Sequence, residues 1–380
     1  MSQKVLITGF TGVIGKRIAY ELAKKGALVY APIRARDAAD LQQRHLDVLE
    51  ILREVVPHYD RLCEGRIIPF AGDLRLENFG LSEAQVHELG LGAVSEVWHL
   101  AAALDLTETN SAEVFETNVG GTRFLLGFME RHGIRDLQYF STFAVHGHKP
   151  EGVAIEEVLK EPSAFRNSYE QSKWESEQMV WEAHQSGKIR AAIFRPSIVV
   201  GDSVIGRYEQ FNAFNHAFDV ASRLRKRLAE KDGQNLDEGG LKYPLRIPGV
   251  EEATLNIVPL DYVVSTVMKL HDSGMWAGKV FHITNPEPPR LSQMMKIFQL
   301  SEPWEGLKWC SQVGPDRFAD GYEKFAFKQY GFLIPYLMGE AKFDQSNVES
   351  ILNGSRQPVC NETFLKAIAQ RALKNGWQEA

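Results

Sequence analysis

The chain opens on a short apolar run, Lys4–Thr8 (KVLIT), rich in β-branched residues, which reads as a buried strand. The stretch TGFTGVIG follows, and then KRIAYELAKKG, whose apolar residues recur at helical spacing. The same alternation runs down the first half of the chain. Ala27–Ile33, Ile67–Phe70, Ser95–Leu100, Leu137–Ser141 and Arg190–Phe194 read as further strands. Amphipathic stretches at Ala38–Val56, Ala112–His132 and Ser163–Ser186 read as helices between them. Strands alternating with helices predict an α/β fold, a Rossmann-type doubly wound parallel sheet of six strands. Ligands of such sheets bind at the carboxyl ends of the strands, so the residues there are the ones to examine.

Three features fall at those ends. Gly9, Gly12 and Gly15 sit in a strand–turn–helix context. The spacing differs from G-x-G-x-x-G, but the context is the one that lets a turn approach a pyrophosphate at a helix N-terminus. The second strand ends in Arg34, with Arg36 close behind, where an NAD-binding chain carries an acidic residue. Two guanidiniums suit a 2′-phosphate, so NADP (NADPH) is the expected cofactor; Asp37, just beyond, is the residue that could instead serve a ribose. Asp73 after the third strand is placed to meet the adenine amino group. The small residues Ala101–Ala103 let backbone pass close to the cofactor. Asn118 lies in the next helix, either as a polar face residue or as a bridge to the active-site strand. Finally, Thr142 ends the fifth strand, and Tyr169 and Lys173, four apart, share one face of a helix. A phenol is a poor acid near neutral pH, and a neighbouring ammonium pulls its pKa down toward working pH. A hydroxyl beside the pair holds a substrate oxygen. The constellation is a proton relay for reducing a carbonyl.

With these residues in hand, the chain resembles the extended short-chain dehydrogenase/reductase superfamily from about residue 3 to 300. TGFTGVIG, YFSTFAVHG and the Tyr169/Lys173 pair carry the likeness. IRARD, STFAV, RPSIVVGDSVIG, TLNIVPLDYVV and KVFHITNPEPPRLSQMMKIF are similar to the thioester reductase and fatty acyl-CoA reductase branch. That resemblance implies NADPH-dependent reduction of an acyl thioester, held on coenzyme A or a carrier protein, to an aldehyde and in some members on to the alcohol. It implies Thr142, Tyr169 and Lys173 as the catalytic set, with no protein nucleophile. By position it sets the cofactor against Thr8, Gly9, Thr11, Gly12, Val13, Ile14 and Gly15, against Arg34, Arg36, Asp73 and Leu74, and against Ala101, Ala102, Asn118, Pro196, Ser197 and Ile198, besides Tyr169 and Lys173 themselves. Two other readings of the motifs stand beside it. One is a ketone/alcohol oxidoreductase or epimerase acting on a lipid-like or nucleotide-sugar substrate, for which Arg207, Arg223, Arg225 and Arg227 offer positive charge. The other is an NADP-sensing regulator, which the complete Tyr–Lys pair disfavours.

After Gly201 the pattern changes, which divides the chain into an NADP-binding domain, residues 1–203, and a substrate-binding α+β region, 204–380, with some chain crossing back to the sheet around 254–285. Tyr208–Glu230 predicts a long helix with Phe211, Phe214 and Phe218 as a stripe, followed by a polar loop, KDGQNLDEGG. Short strands at Leu245–Ile247, Thr254–Ile257 and Val280–Thr284 and helices at Pro259–Leu270, Leu291–Leu300 and Glu362–Lys374 complete the region. Phe325–Met338 is apolar and aromatic, interrupted by Lys328 and Pro335, and too short to span a bilayer. It is read as packing of this lobe, with an apolar wall for a long acyl chain and a peripheral membrane contact as the alternatives.

Composition narrows the partners. The net charge of −6 disfavours nucleic acid. Three cysteines at unpaired spacings give neither a disulfide framework nor a metal site; they point to a reducing, cytoplasmic setting and read as ordinary buried thiols. No targeting segment is expected at the start, since its apolar run is already the first strand. No adenylation or carrier domain is read in the chain, so the acyl donor is expected to be met in trans. By analogy with the superfamily, a monomer or a homodimer is expected.

Overall fold

In the computed structural model, residues 2–374 are described apart from 57–58, 60–62, 64, 150, 162–163, 204–212, 239, 355–357 and 359. The apolar runs of the first half fold as β1 (Lys4–Thr8), β2 (Leu28–Ile33), β3 (Ile67–Ala71), β4 (Glu96–His99), β5 (Asp136–Phe140), a two-residue β6 (Val153–Ala154) and β7 (Arg190–Pro196). Beyond them lie β8 (Ile198–Val200), β9 (Leu241–Pro248), β10 (Ile257–Pro259) and β11 (Lys279–Ile283). The main sheet has seven strands, not six, in the order β11-β7-β5-β4-β1-β2-β3, and every pair is parallel. The added strand is β11, whose apolar KVFHI returns from the second half and pairs with β7 from Lys279–Ala192 to Ile283–Pro196. β10 pairs with β8 just past the end of β7.

The helices cover both faces, as a fully parallel sheet requires. They are α1 (Val13–Lys24), α2 (Ala38–Val55), α3 (Glu83–Leu89), α4 (Ser111–Phe115), α5 (Gly121–His132), α6 (Ser168–Gln185), α7 (Ala213–Asp232) and α8 (Leu260–Asp272). Ile18 and Leu22 of α1 and Val263 and Val267 of α8 pack with Phe194 and Phe281 on one face. Leu125 and Phe128 of α5 and Val180 of α6 pack with Leu137 and Tyr139 on the other. Each such side chain contributes about 1.5–3 kcal/mol by leaving water. Asp37 caps α2, accepting from the Asp40 N–H, and Asn167 caps α6, accepting from the Glu170 N–H. The helix expected over Ala112–His132 is interrupted by a π turn, Glu116–Gly120, which turns Asn118 inward.

The second lobe has its own core. Leu224 and Leu228 of α7, Leu245 and Ile247 of β9 and Phe298 of α9 (Leu291–Ser301) meet Trp304 and Leu307 of β12 (Trp304–Cys310). Tyr330 of α10 (Gly321–Tyr330) and Ile368 of α12 (Glu362–Lys374) close it. β12 pairs with β9 and has no counterpart in the sequence reading. Helix α7 runs on through Asp232, into the stretch expected as loop, and its expected start at Tyr208 lies outside the described residues, as do Arg207 and Phe211 and the side chains of Phe214 and Phe218. The apolar segment Phe325–Met338 divides between α10 and a 3₁₀ turn, Ile334–Tyr336, with Leu333, Tyr336 and Leu337 buried. Last, β13 (Lys342–Phe343) pairs with β6 and α11 (Ser346–Leu352) packs on β11, so the chain straps back over the first half. Among the described residues no helix is long and apolar enough to cross a membrane.

Candidate active site

The glycine turn is built by close approach. Gly9 has φ +75°, and a Cβ there would lie 2.6 Å from the Ala101 nitrogen. A Cβ on Gly15 would lie 2.0 Å from the Gly9 carbonyl oxygen, so α1 can pack on the turn only with glycine at that position. The Gly12 N–H donates back to the Gly9 carbonyl. Gly12 is the N-cap of α1 and supplies no side-chain cap, which leaves first-turn N–H groups for an anion. A cradle that any Cβ would fill fits a pyrophosphate.

From this turn a cavity of about 940 Å³ extends across the carboxyl ends of the strands. Every residue expected against the cofactor lines it except two. Arg34 is in the wall, near Glu113 at 3.8 Å. Arg36 is not: it is 86% exposed and turns to Asp40, at 3.4 Å, because it lies on the approach to α2 where Asp40 can reach it. Arg44, eight residues on and 3.6 Å from Asp40, does line the cavity, and no spacing rule marked that residue in the sequence. Asp37 spends its carboxylate on capping α2 and does not face the cavity. Asp73 lines the wall, held in bidentate fashion by Arg75, whose hydrogen bonds draw its carboxyl below the usual range.

The second exception is Asn118, which sits behind the wall. Its amide donates to the Ala103 carbonyl at 3.0 Å and to Ser172 Oγ at 2.9 Å, and its Oδ1 accepts from the Ala103 N–H at 2.8 Å. It therefore bridges the loop after β4 to α6. A second chain of bonds joins the same elements. The Ala101 N–H donates to Thr8 Oγ1, which lies 2.7 Å from His99 Nδ1; His99 Nε2 lies 3.1 Å from Thr122 Oγ1, which donates to the Asn118 carbonyl. Burial holds the His99 imidazole down at about 3, so it stays neutral.

Thr142, Tyr169 and Lys173 come together on the cavity wall. Thr142 is buried, N-caps the short turn Phe143–His146 by accepting from the Ala144 N–H, and has its hydroxyl near the Tyr169 phenol. Burial pushes that phenol up to about 12, against the lowering effect of the Thr142 hydroxyl. Lys173 is 3% exposed, donates to the Phe140 carbonyl at 2.6 Å and lies 4.4 Å over the Tyr139 ring. Burial pulls its ammonium down to about 7. Here the geometry departs from the sequence reading. The ammonium is turned onto the end of β5, and desolvation rather than its charge dominates the tyrosine. The carbonyl that holds it is long-range information that the four-residue spacing does not contain.

Other wall residues were only partly signalled: Ser197 was expected against the cofactor, Leu333 and Tyr336 fall in the segment for which an apolar wall was one alternative, and Ser141, Leu104 and Leu106 had no site signal. Ser141 and Ser197 present buried hydroxyls with no partner among the described residues. Leu104 and Leu106, Phe143, Leu333 and Tyr336 give the far end an apolar lining. None of the three cysteines lines the cavity, and burial pushes Cys63 up to about 11 and Cys360 up to about 12.

Fold and wall together define a dinucleotide-binding reductase. Residues 7–267 match the NAD-binding family model described as "Male sterility protein". The chain belongs to this family, and is an extended short-chain dehydrogenase/reductase of the thioester reductase kind. It is 26% identical to glycine betaine reductase ATRR of Emericella nidulans over 99% of its own length and 29% of that protein's. It is 24% identical to a carboxylic acid reductase of Segniliparus rugosus, over 74% of this chain and 24% of that one. The chain thus spans under a third of the length of each of these two relatives. Among solved structures, the terminal R domain of the myxalamid PKS-NRPS pathway superposes with a TM-score of 0.79, at 23% identity, over 100% of this chain and 92% of that one. A thiolation-reductase di-domain from an archaeal non-ribosomal peptide synthetase superposes at 0.72, at 20% identity, over 99% and 76%. These two likenesses are of fold.

Proposed function

We propose that the protein reduces an acyl thioester to an aldehyde with NADPH, using Thr142, Tyr169 and Lys173. The single observation that carries the reading is that Thr142, Tyr169 and Lys173 lie together on a cavity wall continuous with the glycine cradle. Bound there, the cofactor would supply a hydride to the thioester carbonyl carbon. Thr142 and Tyr169 direct their hydroxyls at the carbonyl oxygen, where negative charge develops and fixed donors matter most. Tyr169 gives its proton to that oxygen. The resulting hemithioacetal loses its thiol, and the aldehyde remains. Lys173, held against the Phe140 carbonyl, fixes the end of β5 from which Thr142 follows. The thiol leaves with the carrier arm, so no covalent step on the protein is needed.

Arg34 and Arg44 are the proposed ligands of the 2′-phosphate, and Gly9, Gly12 and Gly15 of the pyrophosphate. The donor is coenzyme A or a carrier-protein arm; the thiolation domain joined to the reductase in the archaeal structure and the synthetase origin of the myxalamid domain support the carrier. The acyl group is proposed to be apolar, of fatty or polyketide type, because the described residues at the far end of the cavity are leucines and aromatics.

The test offers purified protein NADPH with an acyl-CoA, an acyl-carrier protein and the matching aldehyde in separate reactions. Oxidation of NADPH with release of free thiol from either thioester is expected. Turnover of the aldehyde alone would replace this reading with a carbonyl reductase. On the cofactor side, Arg34→Ala and Arg44→Ala should each raise the KM for NADPH roughly 10- to 100-fold, the loss of one charge-assisted hydrogen bond, and leave that for NADH unchanged.

A further inference from the structure

The apolar segment of the second lobe reaches the site through one residue. Tyr336 is 5% exposed, and it lines the cavity. Its hydroxyl is fully engaged away from the cavity: it donates to Glu170 Oε1 at 2.5 Å and accepts from Asn167 Nδ2 at 2.9 Å. The Arg166 guanidinium lies 4.0 Å over the ring. On its other side Tyr336 packs with Phe143 and Ala144 in a small cluster of its own. Phe143 directly follows Thr142, and Glu170 directly follows Tyr169. One aromatic ring is therefore wedged between the supports of both proposed oxyanion donors, with only its hydrocarbon left for the cavity.

Resting on the function proposed above, we propose that Tyr336 is the specificity-determining wall of the acyl subsite, a ring locked from behind so that it limits the width of the acyl group. The lock matters because a free tyrosine would swing aside for a bulky substrate. Here two hydrogen bonds and a cation over the ring must all be given up first. Behind the ring lie Arg166, Glu170 and Glu340, all with buried side chains, so a group that pushed past it would meet buried charge. The subsite thus favours slender, uncharged acyl groups.

The test separates binding from turnover. S-butyl and S-(4-phenylbutyl) pantetheine carry the arm common to both kinds of donor and cannot be reduced. Their affinities for wild type, Tyr336→Ala and Tyr336→Phe are measured by titration calorimetry with NADPH present. The ratio of phenylbutyl to butyl affinity should rise on the order of tenfold in Tyr336→Ala, the scale on which an apolar pocket discriminates by size. It should rise by less, about threefold, in Tyr336→Phe, which keeps the ring but loses both hydrogen bonds that lock it. Should Tyr336→Ala fail to fold, Tyr336→Leu serves in its place, with the same direction expected. An unchanged ratio in the small-residue variant, or a Tyr336→Phe ratio that stays at the wild-type value, overturns the proposal. Wild-type protein that binds the thioethers selectively but reduces no thioester would sink the proposed reaction and leave this inference standing.

Discussion

At the scale of the residue, the site turns on two side chains that burial drives away from their usual ionisation. Tyr169 is pushed up to about 12, which keeps its proton in place for transfer, and the nearby Thr142 hydroxyl shares the substrate oxygen with it. Tyr169→Phe is expected to lower kcat by about 10² to 10⁴. Thr142→Val should cost about 10² to 10³. Both should leave NADPH binding, followed by fluorescence, close to wild type. Lys173, pulled down to about 7, is the group expected to shape the pH profile. Its ammonium is present below that value and lost above it, so activity should fall as pH rises past about 7. The residual activity of Lys173→Met should lack that limb. A wild-type profile still rising through pH 8 would show that the ammonium is not required.

At the scale of the element, the glycine turn and α1 are one object. A methyl at Gly15 would meet the Gly9 carbonyl at 2.0 Å, which backbone cannot yield without displacing the helix N-terminus. Gly15→Ala should abolish NADPH binding in a fluorescence titration while far-UV circular dichroism stays near wild type. This element was legible in the sequence because strand, glycines and helix are contiguous, and each carries its own local signal. Thr142, Tyr169 and Lys173 were legible for the same reason. What local pattern does not carry is which way a helix faces after it packs. Arg36 and Arg44 are both cations near α2, and only the docking of α2 on the sheet decides that Arg44 reaches the cavity. The π turn at Glu116–Gly120, which ends on the Gly120–Gly121 pair, was likewise hidden: the partners that hold Asn118 inward, Ala103 and Ser172, are distant in sequence.

At the scale of the molecule, the chain's second half does more than carry a separate lobe. It supplies β11 to the main sheet, Tyr336 and Leu333 to the cavity, and the strap of β13 and α11 over β6 and β11. Apart from the expected crossing of chain back to the sheet around 254–285, these contacts have no sequence signature, since each joins segments more than 60 residues apart. The strap region is held in part by Glu340, which is buried, accepts from the Asn256 N–H and faces Arg166 and Glu170. Burial pushes its carboxyl up to about 7 from an ordinary 4.5. A carboxyl raised on folding binds more protons folded than unfolded between those values, so its contribution is present below about pH 4.5 and lost as pH rises through about 7. Glu340→Gln removes that loss. Thermal melts should show the variant gaining a few degrees on wild type at pH 8, with the difference shrinking toward pH 5. A difference that is the same at both pH values would show that Glu340 is ionised throughout.

The account rests on hydride arriving at a thioester carbonyl. The most direct measurement uses NADPH carrying deuterium at the transferable position of the nicotinamide, an acyl-CoA or acyl-carrier thioester, and mass spectrometry of the products. The account predicts an aldehyde, or the alcohol derived from it, with deuterium on the former carbonyl carbon, and one free thiol released for each thioester consumed. Thiol release with no deuterium in the acyl product would mean hydrolysis rather than reduction, and would contradict it.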